Sequence, residues 1–279
     1  MIAGGSIVFA ENLALAVNYS PGDTAKRIIA ITALLCVSLM HALIPKWGVR
    51  IMVCRTSKLL MVELTRSKDS LAMLKIFILG FIDVTGLYIL IFGISSVPDP
   101  MSSFRNPFAG SSDSSYDYAL ALLKVMSTYY GWSYPAYVLN EVKDPVRTLK
   151  RAGPLGLGTV GILYLLANVA YFAAATPKEI GESGVTIAAL FLGKVFGDGA
   201  RRVAASLVCL SALGNVMTST FSHARIDQEL AKEGMLPFST FWASNWPTGA
   251  PSAGILLVFS MGFIQIAAIP FGKLSPFQR

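Results

Sequence analysis

Charge is scarce in this sequence: 14% of its 279 residues are Asp, Glu, Lys or Arg, against about a quarter in an ordinary soluble domain. Cysteine occurs three times and histidine twice. Cys36, Cys54 and Cys209 are widely spaced and mostly inside apolar runs. That pattern offers neither a disulfide framework nor metal-ligand spacing, and the three read as small core residues. His41 and His223 fall at the ends of apolar runs, where solvated or capping roles are expected. An intramembrane enzyme would need a nucleophile with a base, or a metal cluster, at membrane depth, and no histidine lies there to supply one. A channel would carry a repeated filter or rings of charge, and neither is found. No basic leader precedes Ile2-Ala3-Gly4, so the start does not read as a cleavable signal peptide.

What the sequence does have is long apolar runs, with 54% of residues hydrophobic. These runs predict an all-α membrane protein. The net charge of +7 gathers at the ends of the runs, which suits membrane-flanking loops and makes nucleic acid a poor explanation. Spans are expected over about 1–19, 28–44, 71–97, 153–175, 203–221 and 250–271, with a further, broken one from about Asp117. His223, Arg225 and Asp227 are expected to end the 203–221 span. The apolar segment 186–196 is too short to cross and is expected to lie across an outer face. Residues 46–69 hold Lys46, Arg50, Arg55, Lys58, Arg66 and Lys68 and read as a polar connection. Counting Lys and Arg in alternate loops gives twelve on the side of 46–69 and five on the other, which places 46–69 in the cytoplasm.

The organising stretch is YYGWSYPAYVLNEVKDP, residues 129–145. An apolar helix meets Gly131, Trp132, Ser133 and Pro135 within five residues, then the polar cluster Glu141, Lys143, Asp144 and Pro145. Glycine adds backbone freedom and proline removes a donor, so the helix is expected to break there. Inside a bilayer, freed N–H and C=O groups are tolerated only where protein or a wet cavity meets them. Two readings stand: a kinked helix with no ligand, or a binding site built from loose backbone groups and half-helix dipoles.

The residues of this stretch resemble the sixth helix of amino-acid permeases of the amino acid–polyamine–organocation superfamily, L-type branch, and more particularly of fungal methionine permeases. The likeness continues through RTLKRAGPLGLGTVGILYLLANVAYFAA (147–174), GVTIAALFLGKVFG (184–197) and SALGNVMTSTFSHARIDQELAKEGMLPFSTFWASNWPTGAPSAG (211–254). It implies a partial LeuT-type, inverted-repeat transporter bundle of about seven transmembrane helices plus a short outer amphipathic helix. The single transmembrane domain, 1–279, is similar to the third through ninth helices of a twelve-helix pattern. The family's glycine-broken first helix and last three helices have no counterpart, and 46–69 looks longer than the family's cytoplasmic loop, as if a segment were inserted.

The resemblance implies transport of a neutral amino acid such as methionine by alternating access, in the plasma membrane, with no cofactor or metal and with the proton as a coupling candidate. The alternative is a truncated membrane remnant that transports nothing. Carbonyls around Tyr129, Tyr130 and Gly131 would receive the substrate's ammonium, with Trp132 and Ser133 beside its side chain. Family relatives place an aromatic gate where this chain has Ser127. Lys75 aligns with a lysine standing where sodium-coupled relatives hold Na⁺, and is the ion-coupling candidate; snorkelling to the cytoplasmic face is the plainer reading. Glu141, Lys143, Arg147 and Arg225 are cytoplasmic gate candidates, alongside a plain positive-inside anchor.

Among the remaining polar residues, Glu11 and Asp83 are intramembrane acids expected to sit in ion pairs or to bind a proton. Asn168 and Asn215 are expected to bond between helices. Gly156, Gly158 and Gly161 are expected to permit close helix packing.

Overall fold

A computed structural model describes residues 2–44, 70–108, 110–129, 131, 144–246 and 248–268. The expectations placed on the polar connection 46–69 lie outside these residues. Among them the protein is helical, and the one β feature is an isolated bridge between Ile94 and Val97. The helices are α1 (Ile2–Ala16), α2 (Asp23–Leu43), α3 (Ser70–Phe92), α4 (Ser102–Arg105), α5 (Ser115–Thr128), α6 (Pro145–Ala174), α7 (Pro177–Ser183), α8 (Ile187–Phe196), α9 (Asp198–Lys232), α10 (Ser239–Ala243) and α11 (Ser252–Ala268). By length and composition, Asp23–Leu43, Lys75–Phe92, Val146–Ala174 and Asp198–Lys232 can each cross a membrane, and α1 and α11 are shorter apolar helices.

Helix ends differ from the sequence expectations in instructive ways. α3 stops at Phe92 rather than continuing to Val97, because Gly93 takes φ 68 and turns the chain. α6 begins at Pro145 instead of Gly153 and runs through Pro154, a break in the hydrogen-bond ladder that membrane helices tolerate. α9 is 35 residues long and passes through His223, Arg225 and Asp227 instead of ending there. Its buried residues Ala205, Cys209, Ala212, Val216, Thr220, Ala224, Gln228 and Ala231 recur every three or four positions, so one buried stripe carries the helix on.

The chain forms two compact units, Met1–Lys75 with Gly181–Arg279, and Ile76–Ile180. In the first, α9 is the central element and packs against α1, α2, α8, α10 and α11. Ala3, Ala10, Ala30, Leu34, Val37, Val216, Met217 and Ile266 form its core. Without a hydrophobic drive between helices in lipid, close van der Waals approach holds such a bundle. Glycine supplies it here: a Cβ on Gly254 would sit 2.7 Å from the Ala224 carbonyl oxygen, and one on Gly262 2.7 Å from a Leu34 methyl. The apolar segment predicted over 186–196 is α8, which buries Ala189, Phe191 and Leu192 and packs on α9.

In the second unit, α3 buries Ile82, Asp83 and Ile89, while Phe77, Phe81, Val84, Tyr88, Ile91 and Phe92 are exposed. α6 buries Ala167, Ala170, Ala173 and Ala174. The two helices come closest where a Cβ on Gly86 would lie 2.0 Å from that of Ala170.

Candidate functional site

The apolar helix that begins the organising stretch is α5, and it ends at Thr128, where the sequence predicts a break. Its last turn is loosened by its own side chains. Ser127 Oγ donates to the Lys124 carbonyl at 2.7 Å and Thr128 Oγ1 to the Val125 carbonyl at 2.7 Å. Hydroxyls bonding back in this way compete with the helical ladder. Tyr129 donates its N–H to the Met126 carbonyl at 3.2 Å, a tighter turn than the α-helix. Gly131 then takes φ 101, a left-handed value that glycine adopts without the Cβ penalty. Asp144, directly before α6, takes φ 50 and ψ 60.

Tyr129 is fixed by its side chain as well. Its ring meets Tyr164 of α6 edge-on, with centroids 6.0 Å apart and planes at 62°. Its hydroxyl lies 3.5 Å from where a Cβ on Gly161 would be. Tyr129 and Gly131 are therefore placed at the break, as expected. Tyr130, Trp132, Ser133, Glu141 and Lys143 lie outside the described residues. Of the remaining candidates, Lys75 is exposed on α3 and Arg147 is exposed in the first turn of α6.

Arg225 is half-buried on α9 and belongs to a polar knot in the first unit. Its guanidinium lies 5.3 Å from the centroid of Phe221 and donates to Gln228 Oε1 at 2.9 Å. Gln228 is fully buried, and its Nε2 donates to Asn245 Oδ1 at 2.6 Å and to the Ala243 carbonyl at 3.1 Å. Thr248 donates to the Ala42 carbonyl at the end of α2. The connection from α9 to α11 is thus tied to α9 and to α2. Gln228 escaped the sequence reading because it resembles one more polar residue beyond an apolar run. Its place in the buried stripe of α9 was the available signal.

His41 departs from expectation: it is 1% exposed, and its ring lies 5.7 Å from Phe221. Asn168 and Asn215 bond within their own helices instead of between helices. Asn168 donates to the Tyr164 carbonyl at 2.7 Å, and Asn215 accepts from Ser219 at 3.4 Å. Gly156 and Gly158 face no heavy atom within 4 Å among the described residues, so they do not mediate close packing there. Gly86 and Gly254 hold the tight approaches instead. Glu11 does form an ion pair, with Lys26 at 4.0 Å. Asp83 does not: it is 3% exposed, and neither carboxyl oxygen has a hydrogen-bond partner among the described residues.

The amino acid permease family model matches residues 1–277, and the chain belongs to that family. It is similar to the high-affinity methionine permease of Saccharomyces cerevisiae, with 42% identity over 206 residues, covering 74% of this chain and 36% of that protein. It is similar also to the low-affinity methionine permease of the same yeast, with 31% identity over 271 residues, 95% of this chain and 45% of that protein. The rabbit (Oryctolagus cuniculus) large neutral amino acids transporter small subunit 2 is 30% identical over 218 residues, 78% of this chain and 37% of that protein. The chain thus spans less than half the length of these relatives. It is an integral membrane protein, and these relatives are permeases and transporters, not enzymes.

Proposed function

We propose that the protein works as a secondary amino acid transporter of the plasma membrane, moving a neutral amino acid such as methionine by alternating access. The observation that carries this reading is the 42% identity to a high-affinity methionine permease across 74% of the chain. The physical basis is the break after α5. Unwound carbonyls around Tyr129, Tyr130 and Gly131 supply fixed acceptors for an ammonium that has left water, which would otherwise carry a heavy desolvation cost. Trp132 and Ser133 lie beside the substrate side chain in this reading. Lys75 holds the place of a coupling cation, and Glu141, Lys143, Arg147 and Arg225 close the cytoplasmic side. Residues 1–279 act as one transmembrane domain, with 46–69 in the cytoplasm.

The test is uptake of labelled methionine by cells that lack their own methionine permeases and express this protein. Uptake above background that excess unlabelled methionine abolishes is the expected result. Uptake that methionine does not block would remove methionine as the substrate, and no uptake at all would remove transport.

A further inference from the structure

Asp83 is the ionisable side chain that the transport reading leaves unused. It lies on the buried stripe of α3 with Ile82 and Ile89, one turn from Gly86, where the backbone meets Ala170 of α6. Ala167, Ala170, Ala173 and Ala174 give α6 an alanine stripe, which brings methyl groups and no counter-charge. Both carboxyl oxygens are buried without a hydrogen-bond partner among the described residues. Tyr171, next to Ala170 on α6, is half-buried. The acid and base at the ends of the loop after α3, Asp99 and Arg105, are satisfied by each other at 3.0 Å. Lys75, on α3 itself, is exposed two turns away. On α5, Asp117 accepts from Ser112 at 2.6 Å.

An ionised carboxylate is costly in such a place, because it has left water and meets no compensating cation among the described residues. The smallest cation that removes the charge is a proton. A carboxyl group opposite an alanine stripe offers no ligand set for a metal ion, which takes several oxygens, and no group of three or more metal-ligating side chains occurs among the described residues. Intramembrane acids of this kind mark ion and proton pathways.

We propose that Asp83 is a proton-binding site, loaded when the helix pair α3–α6 is closed as seen here and emptied when the carboxyl group is opened to water. The step is a simple acid–base equilibrium: the carboxylate takes H⁺ from water on one side of the membrane, forming one O–H bond, and returns it on the other. No electrons move. The loading itself stands apart from the transport reading; its use in driving an amino acid uphill rests on that reading.

Infrared difference spectroscopy on the purified, membrane-reconstituted chain tests the loading directly. The expected result is a carbonyl stretch of a protonated carboxylic acid at neutral pH, shifted by isotope labelling of aspartate and absent in Asp83→Asn. Asp83→Glu, which keeps the titratable group, retains a carboxylic acid band at a changed frequency and covers the case in which Asp83→Asn fails to fold. Absence of an aspartate-assigned acid band in the wild-type chain at neutral pH and below would overturn the proposal. So would a band that survives in Asp83→Asn. Substrate-evoked proton entry into the same vesicles separates the two claims. With the band present, absence of methionine movement counts against transport alone. Methionine movement with equal proton entry in the wild type and Asp83→Asn counts against Asp83.

Discussion

The two units are built on different terms. In the unit around α9, a regular stripe of small side chains runs the length of a 35-residue helix, and α1, α2, α8 and α11 close on it. Its buried polar groups include a knot in which Gln228 makes three hydrogen bonds, and also Asn12 Oδ1, Ser38 Oγ, both His41 ring nitrogens and Thr220 Oγ1, which have no hydrogen-bond partner among the described residues. In the unit containing α3, α5 and α6, one helix stops at a left-handed glycine, another runs through a proline, and an acid is buried without a partner among the described residues. Interdigitated helices rigidify a structure, whereas interrupted backbone in a membrane helix leaves groups that can meet a ligand. The contrast is between a bundle closed around one long buried stripe and helices whose backbone is interrupted.

The contrast can be broken at single residues. The largest effect is expected from Gly86→Val, since even its Cβ would lie 2.0 Å from that of Ala170 on a neighbouring helix. Overpacking against a helix that cannot yield costs about 3 kcal/mol, and the amount of folded, membrane-extracted protein should fall sharply in a detergent thermal-shift assay. Gln228→Leu comes next. It leaves Asn245 and Arg225 without a partner inside the knot, a loss of about 2 kcal/mol. The same assay should register it, and protease sensitivity between 243 and 250 should rise. Gly156→Ala should be smallest, within about 1 kcal/mol and stabilising in sign, because it meets nothing within 4 Å among the described residues and alanine favours helix over glycine. Equal effects of Gly86→Val and Gly156→Ala would erase the distinction between packed and open glycines.

How much of this was legible in the sequence depends on whether the signal was local. The break after α5 was, because Gly131 and its neighbours interrupt an apolar run and the backbone obeys at φ 101. The helical class was too, because apolar runs of crossing length leave few other structures in lipid. The reach of α9 was not. His223, Arg225 and Asp227 look like an end by hydropathy, while the buried positions Ala224, Gln228 and Ala231 between them keep the helix going. The glycines were legible as glycines only: which one touches a neighbour is decided by the opposite helix, so Gly86 and Gly254 were missed and Gly156 and Gly158 were overvalued. His41 was misplaced for a related reason, since a position near a run end does not reveal that Phe221 covers it.

The central claim is that the break at Tyr129–Gly131 forms the substrate site, and binding of labelled methionine to the purified chain carrying Gly131→Ala tests it most directly. Gly131 sits at φ 101, where an alanine is strained, so the substitution disturbs the unwound carbonyls without adding charge or much bulk. Weakening of binding by about tenfold, roughly 1.4 kcal/mol, with the thermal midpoint retained, is the predicted result. Methionine bound by Gly131→Ala as tightly as by the wild type would contradict the assignment.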